Sequence, residues 1–438
     1  MSSFKQVTGA LLAAAIFAAG PAAAQSQGQP NSPYSRIGLG DYAGNLGGVR
    51  QLGMGGVGIA APNTGNVNEL NPALLTYTAR TTWEAGFNAE IKTLRTATAF
   101  HRTGSGTLGY LALAVPLSRR WAAAIGLKPY STVAYDAVIN GNVNGDATSL
   151  VQTQYSGTGG LSEGYIGTGI HVLRDLNIGG SASYLFGTVN QTVGTTILTS
   201  SPQAVVLEEQ LRYSDFLFRA SAHYRHKITK DLNLNVGGVY SFATNLRAAR
   251  TRTEDQRDPR GAITSTVSQL SNDVGSTYVP GQTQAGLSLD NSRNWSVSVD
   301  GSYQRWSQFS SFSQFSNTPL VDTWRVAAGG EFTPDPGSVD RYFKRVTYRF
   351  GLSTSQLPYA SKGQYLYDRA VHWGFAFPLP TGTPLESTLI SLGFAYGMRG
   401  NTDYVQGNLA GSNVRESYLR VQLAATLSNR WFIKRRLQ

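Results

Sequence analysis

From about residue 80 to residue 438, apolar side chains alternate with polar or very small ones in segments of roughly ten residues, each closed by a turn. In residues 295–303, Trp295, Val297, Val299 and Tyr303 share one parity, and Ser296, Ser298, Asp300 and Ser302 share the other. Successive side chains of a strand point to opposite faces, so this segment has one apolar and one polar face. The phase is kept by Trp83, Phe87 and Ile91, by Phe216, Phe218 and Tyr224, and by Val371, Trp373 and Phe375. The opposite parity carries Glu84, Asn88, Glu90, His171, Arg219, His223, Asn235, Asp300, Arg325, Glu331, Arg349, His372, Arg420 and Gln422. A charge facing lipid near the midplane costs about 2–4 kcal/mol for Arg or Lys, which accounts for so strict a phase. A soluble sandwich turns its apolar face inward and decorates the other with Lys and Glu, not with these Gly, Ser and Asn positions. The pattern predicts an all-β chain: a transmembrane antiparallel β-barrel.

Tight turns fall at 116–121, 173–176, 227–232, 290–295, 333–344 and 378–386. Longer polar segments alternate with them at 138–162, 188–208, 248–278, 306–321, 356–366 and 399–415. Short turns on one side and long loops on the other is the barrel rule. With both termini on the short-turn side, this spacing predicts fourteen strands. The first long loop is expected near residues 103–106.

Residues 25–80 do not alternate. They are rich in Gly, Asn and Pro and carry short apolar clusters. The stretch is too apolar for a disordered tail and too irregular for exposure to lipid. Packed inside a barrel it meets neither objection, so we read it as an N-terminal plug. Ahead of it, Lys5, the apolar run from Leu11 to Ala19 and the small residues through Ala24 read as a signal peptide. The expected organisation is therefore signal peptide 1–24, plug 25–80 and barrel 81–438, in the outer membrane among lipid and lipopolysaccharide.

Composition narrows the chemistry. There is no cysteine, which excludes disulfides and thiolate metal sites. The charge of +11 comes from arginines scattered singly, without the basic stripe that nucleic acid requires. Gly53-Met54-Gly55-Gly56-Val57-Gly58 matches G-x-G-x-x-G but lacks the flanking strand and helix of a dinucleotide site. His223 and His226 share an H-x-x-H spacing that strand parity puts on opposite faces. No G-x-S-x-G elbow marks a nucleophile. We expect no enzyme, no metal and no cofactor.

Two features remain. Arg219, Arg325, Arg349 and Arg420 share the barrel interior with Glu84, Glu90, Asp300 and Glu331. They tie strands and plug together, or leave one guanidinium for an anionic ligand. With Leu70, Leu74 and Leu75 of the plug they are the candidate ligand pocket. Pro129 lies in the third predicted strand, where proline removes a ladder donor. It either kinks the wall or marks the strand's exit from the bilayer.

The plug sequence Met54-Gly55-Gly56-Val57-Gly58-Ile59-Ala60, followed by Asn71-Pro72-Ala73-Leu74-Leu75, resembles that of the FadL-like outer-membrane transporters. The opening Ser32-Pro33-Tyr34-Ser35-Arg36 and the ending Trp431-Phe432-Ile433-Lys434-Arg435-Arg436 resemble those of Bacteroidetes barrel proteins. The resemblance implies about fourteen strands and a hatch carrying Gly55, Gly56, Asn71, Pro72 and Ala73. It also implies capture of a hydrophobic, long-chain fatty-acid-like molecule, and a lateral opening at a kink that Pro129 would supply. The charged 248–278 segment departs from the family's apolar outer loops. It suits a protein partner, so the alternative is an accessory barrel of a secretion or surface-attachment complex.

Overall fold

In the computed structural model, the described residues are 32–42, 47–97, 99–143, 146–198, 203–313, 315, 319–361, 364–381, 386–402 and 414–429. The expected signal peptide, most of the 399–415 segment and the ending at 431–436 lie outside them.

The strands are β1 Asp41–Tyr42, β2 Thr81–Arg95, β3 Phe100–Pro116, β4 Trp121–Val143, β5 Asp146–Leu173, β6 Leu176–Ile197, β7 Gln203–Lys227, β8 Asn233–Ser241 and β9 Thr244–Arg257. They continue with β10 Ile263–Val279, β11 Gln282–Asp290, β12 Trp295–Gln304, β13 Thr323–Phe332, β14 Thr347–Ser361, β15 Gln364–Leu379, β16 Ser387–Arg399 and β17 Arg415–Asn429. All pairings are antiparallel, and β17 closes on β2 from Asn429↔Thr81 to Arg415↔Arg95. β8 and β9 are one wall strand broken at Phe242-Ala243; β10 and β11 are another, broken at Pro280-Gly281. With β1 outside the wall, the barrel has fourteen strands.

The apolar parity faces out. On β12, Val297 is 55% and Val299 48% exposed, while Ser298 is 1% and Asp300 4% exposed. A water-soluble fold would reverse that order; a lipid-facing wall requires it. His223 is buried and His226 exposed, as parity demands.

Strand ends flank all six expected short turns, the last of which, 378–386, lies partly outside the described residues. The opposite side differs. The first turn lies at 96–99, and residues 103–106 belong to β3. The long polar segments at 138–162, 188–208 and 248–278 are mostly strand rather than loop. β4, β5, β6 and β7 run 23, 28, 22 and 25 residues, whereas β12 and β13 have 10. Since about 9–11 residues span a bilayer, one flank of the barrel continues well past it as a wing of sheet. The outer face records the boundary. Tyr184, Phe186, Phe216 and Phe218 form a ring cluster; beyond it come Asn190 and Gln210, hydrogen-bonded at 2.9 Å. Sequence polarity marked this change of solvent but not the continued pairing, since alternation of small polar residues is as compatible with strand as with loop.

The N-terminal segment packs against inward-facing residues of the wall. A short helix, α1 Val49–Gly53, lies against β14 to β17, and the 3-10 helix Pro72–Tyr77 lies against β5, β6 and β7. Wall glycines admit it. A Cβ at Gly351 would strike the backbone of Met54, and one at Gly179 the backbone of Ala73.

Candidate functional site

β3 and β4 are paired from Pro116↔Ala122 to Leu111↔Leu127, and there the ladder stops. Both strands continue, β3 paired with β2 as far as Phe100 and β4 paired with β5 as far as Val143. Their facing edges have parted, which leaves a seam in the wall. Pro129, just past the last pair, has no N–H for a ladder, and the β4–β5 register slips between Pro129 and Ser131. Opposite, Gly159 and Gly160 have φ of +115° and +147°. A Cβ on Gly160 would strike the carbonyl of Ser131. The bend is therefore built jointly by a proline and a glycine pair. The adjacent glycines inside an alternating strand were a signal that the sequence reading did not use.

The N-terminal segment takes part of the freed edge of β4. β1 pairs there as Tyr42↔Ser131 and Asp41↔Thr132. Ser32 N–H donates to the Ala134 carbonyl at 2.7 Å, and Ala134 N–H donates to Ser35 Oγ at 3.0 Å.

Behind the seam lies a cavity of about 420 Å³. Ser105 and Thr107 line it from β3, Lys128, Pro129 and Ser131 from β4, Glu90 and Lys92 from β2, Arg420 and Gln422 from β17, and Asp41, Tyr42 and Glu69 from the N-terminal segment. Its charges are paired. Lys92 lies 3.3 Å from both Asp41 and Glu90, Arg420 lies 3.0 Å from Glu90, and Lys128 lies 3.4 Å from Glu69. Asp41 is also 2.6 Å from Arg399, which contacts Glu416 as well. Burial opposes ionisation of Asp41, but Arg399 and Lys92 outweigh it and hold the carboxyl well below its usual range. For Glu69 burial prevails over Lys128 and pushes the carboxyl up.

A second cavity, about 180 Å³, adjoins the first and shares Asp41, Tyr42, Glu90, Ser131 and Arg420 with it. Ile37, Leu39, Trp306, Trp324, Leu357 and Tyr359 stand on its walls beside Arg325, Asp368, His372 and Arg399. Tyr34 stacks on Tyr359 with ring centroids 4.9 Å apart.

The expected site residues disperse. Asn71 Oδ1 accepts from Ala73 N–H at 2.9 Å and its Nδ2 donates to the Ile59 carbonyl at 2.6 Å. Pro72 occupies the first helical turn, so Asn-Pro-Ala is a capped helix start wedged against β6. Gly55 and Gly56 have φ of +80° and +78°. Leu70, Leu74 and Leu75 are buried; Leu70 packs with Ile59 and Val239, and Leu75 with Tyr110. None of the three lines either cavity.

The four arginines are not brought to one place. Arg349 lies 3.2 Å from Glu331, which Arg50 approaches to 2.7 Å. Arg219 lies 2.8 Å from Glu163. Arg325 donates to the Gly55 carbonyl. Arg420 alone of the four lines the larger cavity, and Arg325 joins it in the smaller one. Their observed partners tie wall to wall and wall to N-terminal segment. Arg50, Glu163 and Arg399 belong to the same networks and escaped the sequence reading. Arg50 sits outside any strand, and parity marks Glu163 and Arg399 as inward without naming partners. The G-x-G-x-x-G glycines also serve packing: Gly58 and Ile59 N–H groups donate to Asp300 Oδ2 at 2.6 and 2.9 Å.

The BamG family model matches residues 5–438. The chain belongs to the BamG family. Among solved structures it is similar to the CymD monoaromatic hydrocarbon channel, with 18% identity, a TM-score of 0.55, and 89% of this chain and 100% of that one covered. It is also similar to the toluene transporter TodX of P. putida, at 16% identity and a TM-score of 0.55, covering 89% and 99%. A Pseudomonas aeruginosa FadL homologue gives 14%, 0.54, and 88% and 99%. No curated protein matches this chain. At such identities the likeness is one of fold, and it agrees with the FadL-like resemblance of the hatch motifs.

Proposed function

We propose that this protein passes hydrophobic or amphipathic small molecules across the outer membrane by passive diffusion, with the N-terminal segment as gate. The observation that carries the reading is the end of β3–β4 pairing at Leu111↔Leu127, directly beside an internal cavity and partly bridged by β1. Lipid-exposed unpaired backbone is costly, so such a seam calls for a purpose. A ligand captured at the long-strand end would enter the smaller cavity, move to the larger one and leave sideways into the bilayer as β1 shifts. The similar hydrocarbon channel and toluene transporter support this substrate class, with fatty-acid-like molecules as its long-chain members. No cofactor, metal or covalent step enters the scheme, and the reading is non-enzymatic.

The chain has no cysteine, so an engineered pair is unambiguous. Tyr42→Cys with Ser131→Cys joins two residues already opposite one another in the β1–β4 ladder. Oxidation should slow uptake of a labelled fatty acid into proteoliposomes, and reduction should restore it. Equal flux in both states would remove β1 as the gate.

A second reading, an accessory barrel that holds a protein partner, is favoured by the β9–β10 hairpin. Ile263, Val267, Leu270 and Val274 are exposed there, and among the described residues β10 pairs with β9 and, beyond it, only through a bridge from Tyr278 to Ser310. An exposed edge strand of that length is usually covered.

A further inference from the structure

The cavity behind the seam holds more hydrogen-bond acceptors than the protein's own groups serve. Glu69 Oε1, Asn88 Oδ1, Ser131 Oγ and Gln422 Oε1 are buried atoms of lining residues, and none has a hydrogen-bond partner among the described residues. Glu69, Ser131 and Gln422 are each more than nine-tenths buried. Buried polar atoms are paired in the great majority of cases, so four unpaired acceptors on residues that line one chamber point to a ligand that supplies donors. Turning the amides of Asn88 and Gln422 would exchange acceptor for donor, whereas Glu69 Oε1 accepts as long as Lys128, 3.4 Å from the other oxygen, holds the carboxylate.

Charge narrows the ligand. The lining acids Asp41, Glu69 and Glu90 face the bases Lys92, Lys128 and Arg420, and each base already holds an acid. An anion would meet saturated cations and open acceptors. An ammonium group would add a positive charge to a balanced set. A neutral group rich in hydroxyls donates to the open acceptors and needs no counter-charge. The volume, about 420 Å³, is that of a small-molecule site.

We infer that this cavity is a binding site for a neutral, polyhydroxylated, sugar-like group, either free or as the head of an amphiphile whose tail stays in the bilayer. The inference rests on the proposed function in taking the β3–β4 seam as the entrance.

The test starts from protein purified in an amine-oxide detergent, free of sugar. Octyl glucoside, octyl sulfate and octylammonium are offered at equal concentration, and the retained species are counted by native mass spectrometry. Labelled methyl glucoside is measured in parallel by equilibrium dialysis. Octyl glucoside should be retained about tenfold over the two charged heads. Asn88→Leu combined with Gln422→Met should abolish that preference. Ser391→Ala, which deletes a buried unpaired hydroxyl remote from the cavity, should leave it intact. Heat-modifiable gel mobility confirms that each variant is folded. Binding of methyl glucoside as well would mark the free sugar as a sufficient ligand; retention of octyl glucoside alone would mark a membrane-borne head. Equal retention of all three heads, or a preference untouched by the double variant, overturns the inference and leaves water as the occupant. Glucoside retention without fluorescent-lipid or fatty-acid flux would sink the transport reading and spare this site; flux without head-group preference would do the reverse.

Discussion

Asp41 is held by two cations, Lys92 and Arg399, and lies in the short strand that patches the wall seam. Its carboxyl is depressed in the folded protein. The stability it contributes is therefore present above the ordinary carboxylate pKa and is lost only as pH falls through the lower folded value. Glu69 has the opposite sign. The folded state holds its proton more tightly than the unfolded one, so its contribution declines as pH rises from the ordinary range through the raised value. Acidification from about pH 7 to about pH 5 should thus leave β1 tied and slightly favour the packing around Glu69. The hydrogen-exchange protection factor of the Tyr42 amide checks this; a lower protection factor at pH 5 would contradict it. Glu331, between Arg50 and Arg349, is the other residue on which much depends. Glu331→Gln leaves two buried guanidiniums without their shared acid and should cost about 3–5 kcal/mol in urea unfolding. At this scale the sequence announced inward charges by parity, but it could not pair them. Asp41 and Arg399 lie at opposite ends of the chain, and only closure of the sheet brings them within 2.6 Å.

At the scale of elements, the β4 bend is the informative case. Pro129 was legible as an oddity, and two accounts stood open, a kink or a strand already out of the bilayer. The structure gives a strand that goes on pairing with β5 to Val143 while losing β3 at Leu127. Position along the chain could not separate these, because the bend needs Gly159 and Gly160 on the neighbouring strand. Gly160→Val puts a side chain against the Ser131 carbonyl in a backbone region that L residues avoid. The expected cost is about 1–3 kcal/mol, with altered flux through the seam; an unchanged unfolding midpoint and flux would remove the glycine pair from the account. Asn71-Pro72-Ala73 was read from its resemblance as part of a hatch; the structure makes it a helix start, and its cap geometry supplies the physical reason for the residue types.

For the whole molecule, the asymmetry of the wall matters most. Strands of 22–28 residues on one flank and 10 on the other give a barrel with a tall wing. The β9–β10 hairpin forms its outermost edge, with Arg257 2.7 Å from Glu208 on β7 and Arg250 in contact with Asp273. The charges that set 248–278 apart are thus largely spent on one another, and its exposed apolar residues remain. Cutting the hairpin back to the Arg250–Asp273 pair should leave the barrel folded, since β8 and β11 pair with each other below it. If the accessory reading holds, a stoichiometric partner co-purified in mild detergent should be lost with the hairpin. A partner retained after the cut would place the contact elsewhere.

Periodicity is a local property, so the chain by itself determined the all-β class, the short-turn positions, the fourteen strands and the inverted polarity of the wall. Each follows from side chains alternating about one strand in lipid. The seam, the two cavities and the partners of the interior charges came from the tertiary structure alone. They depend on which edges meet when the sheet closes and packs against residues 32–80, and contacts between residues hundreds of positions apart leave no mark in local alternation.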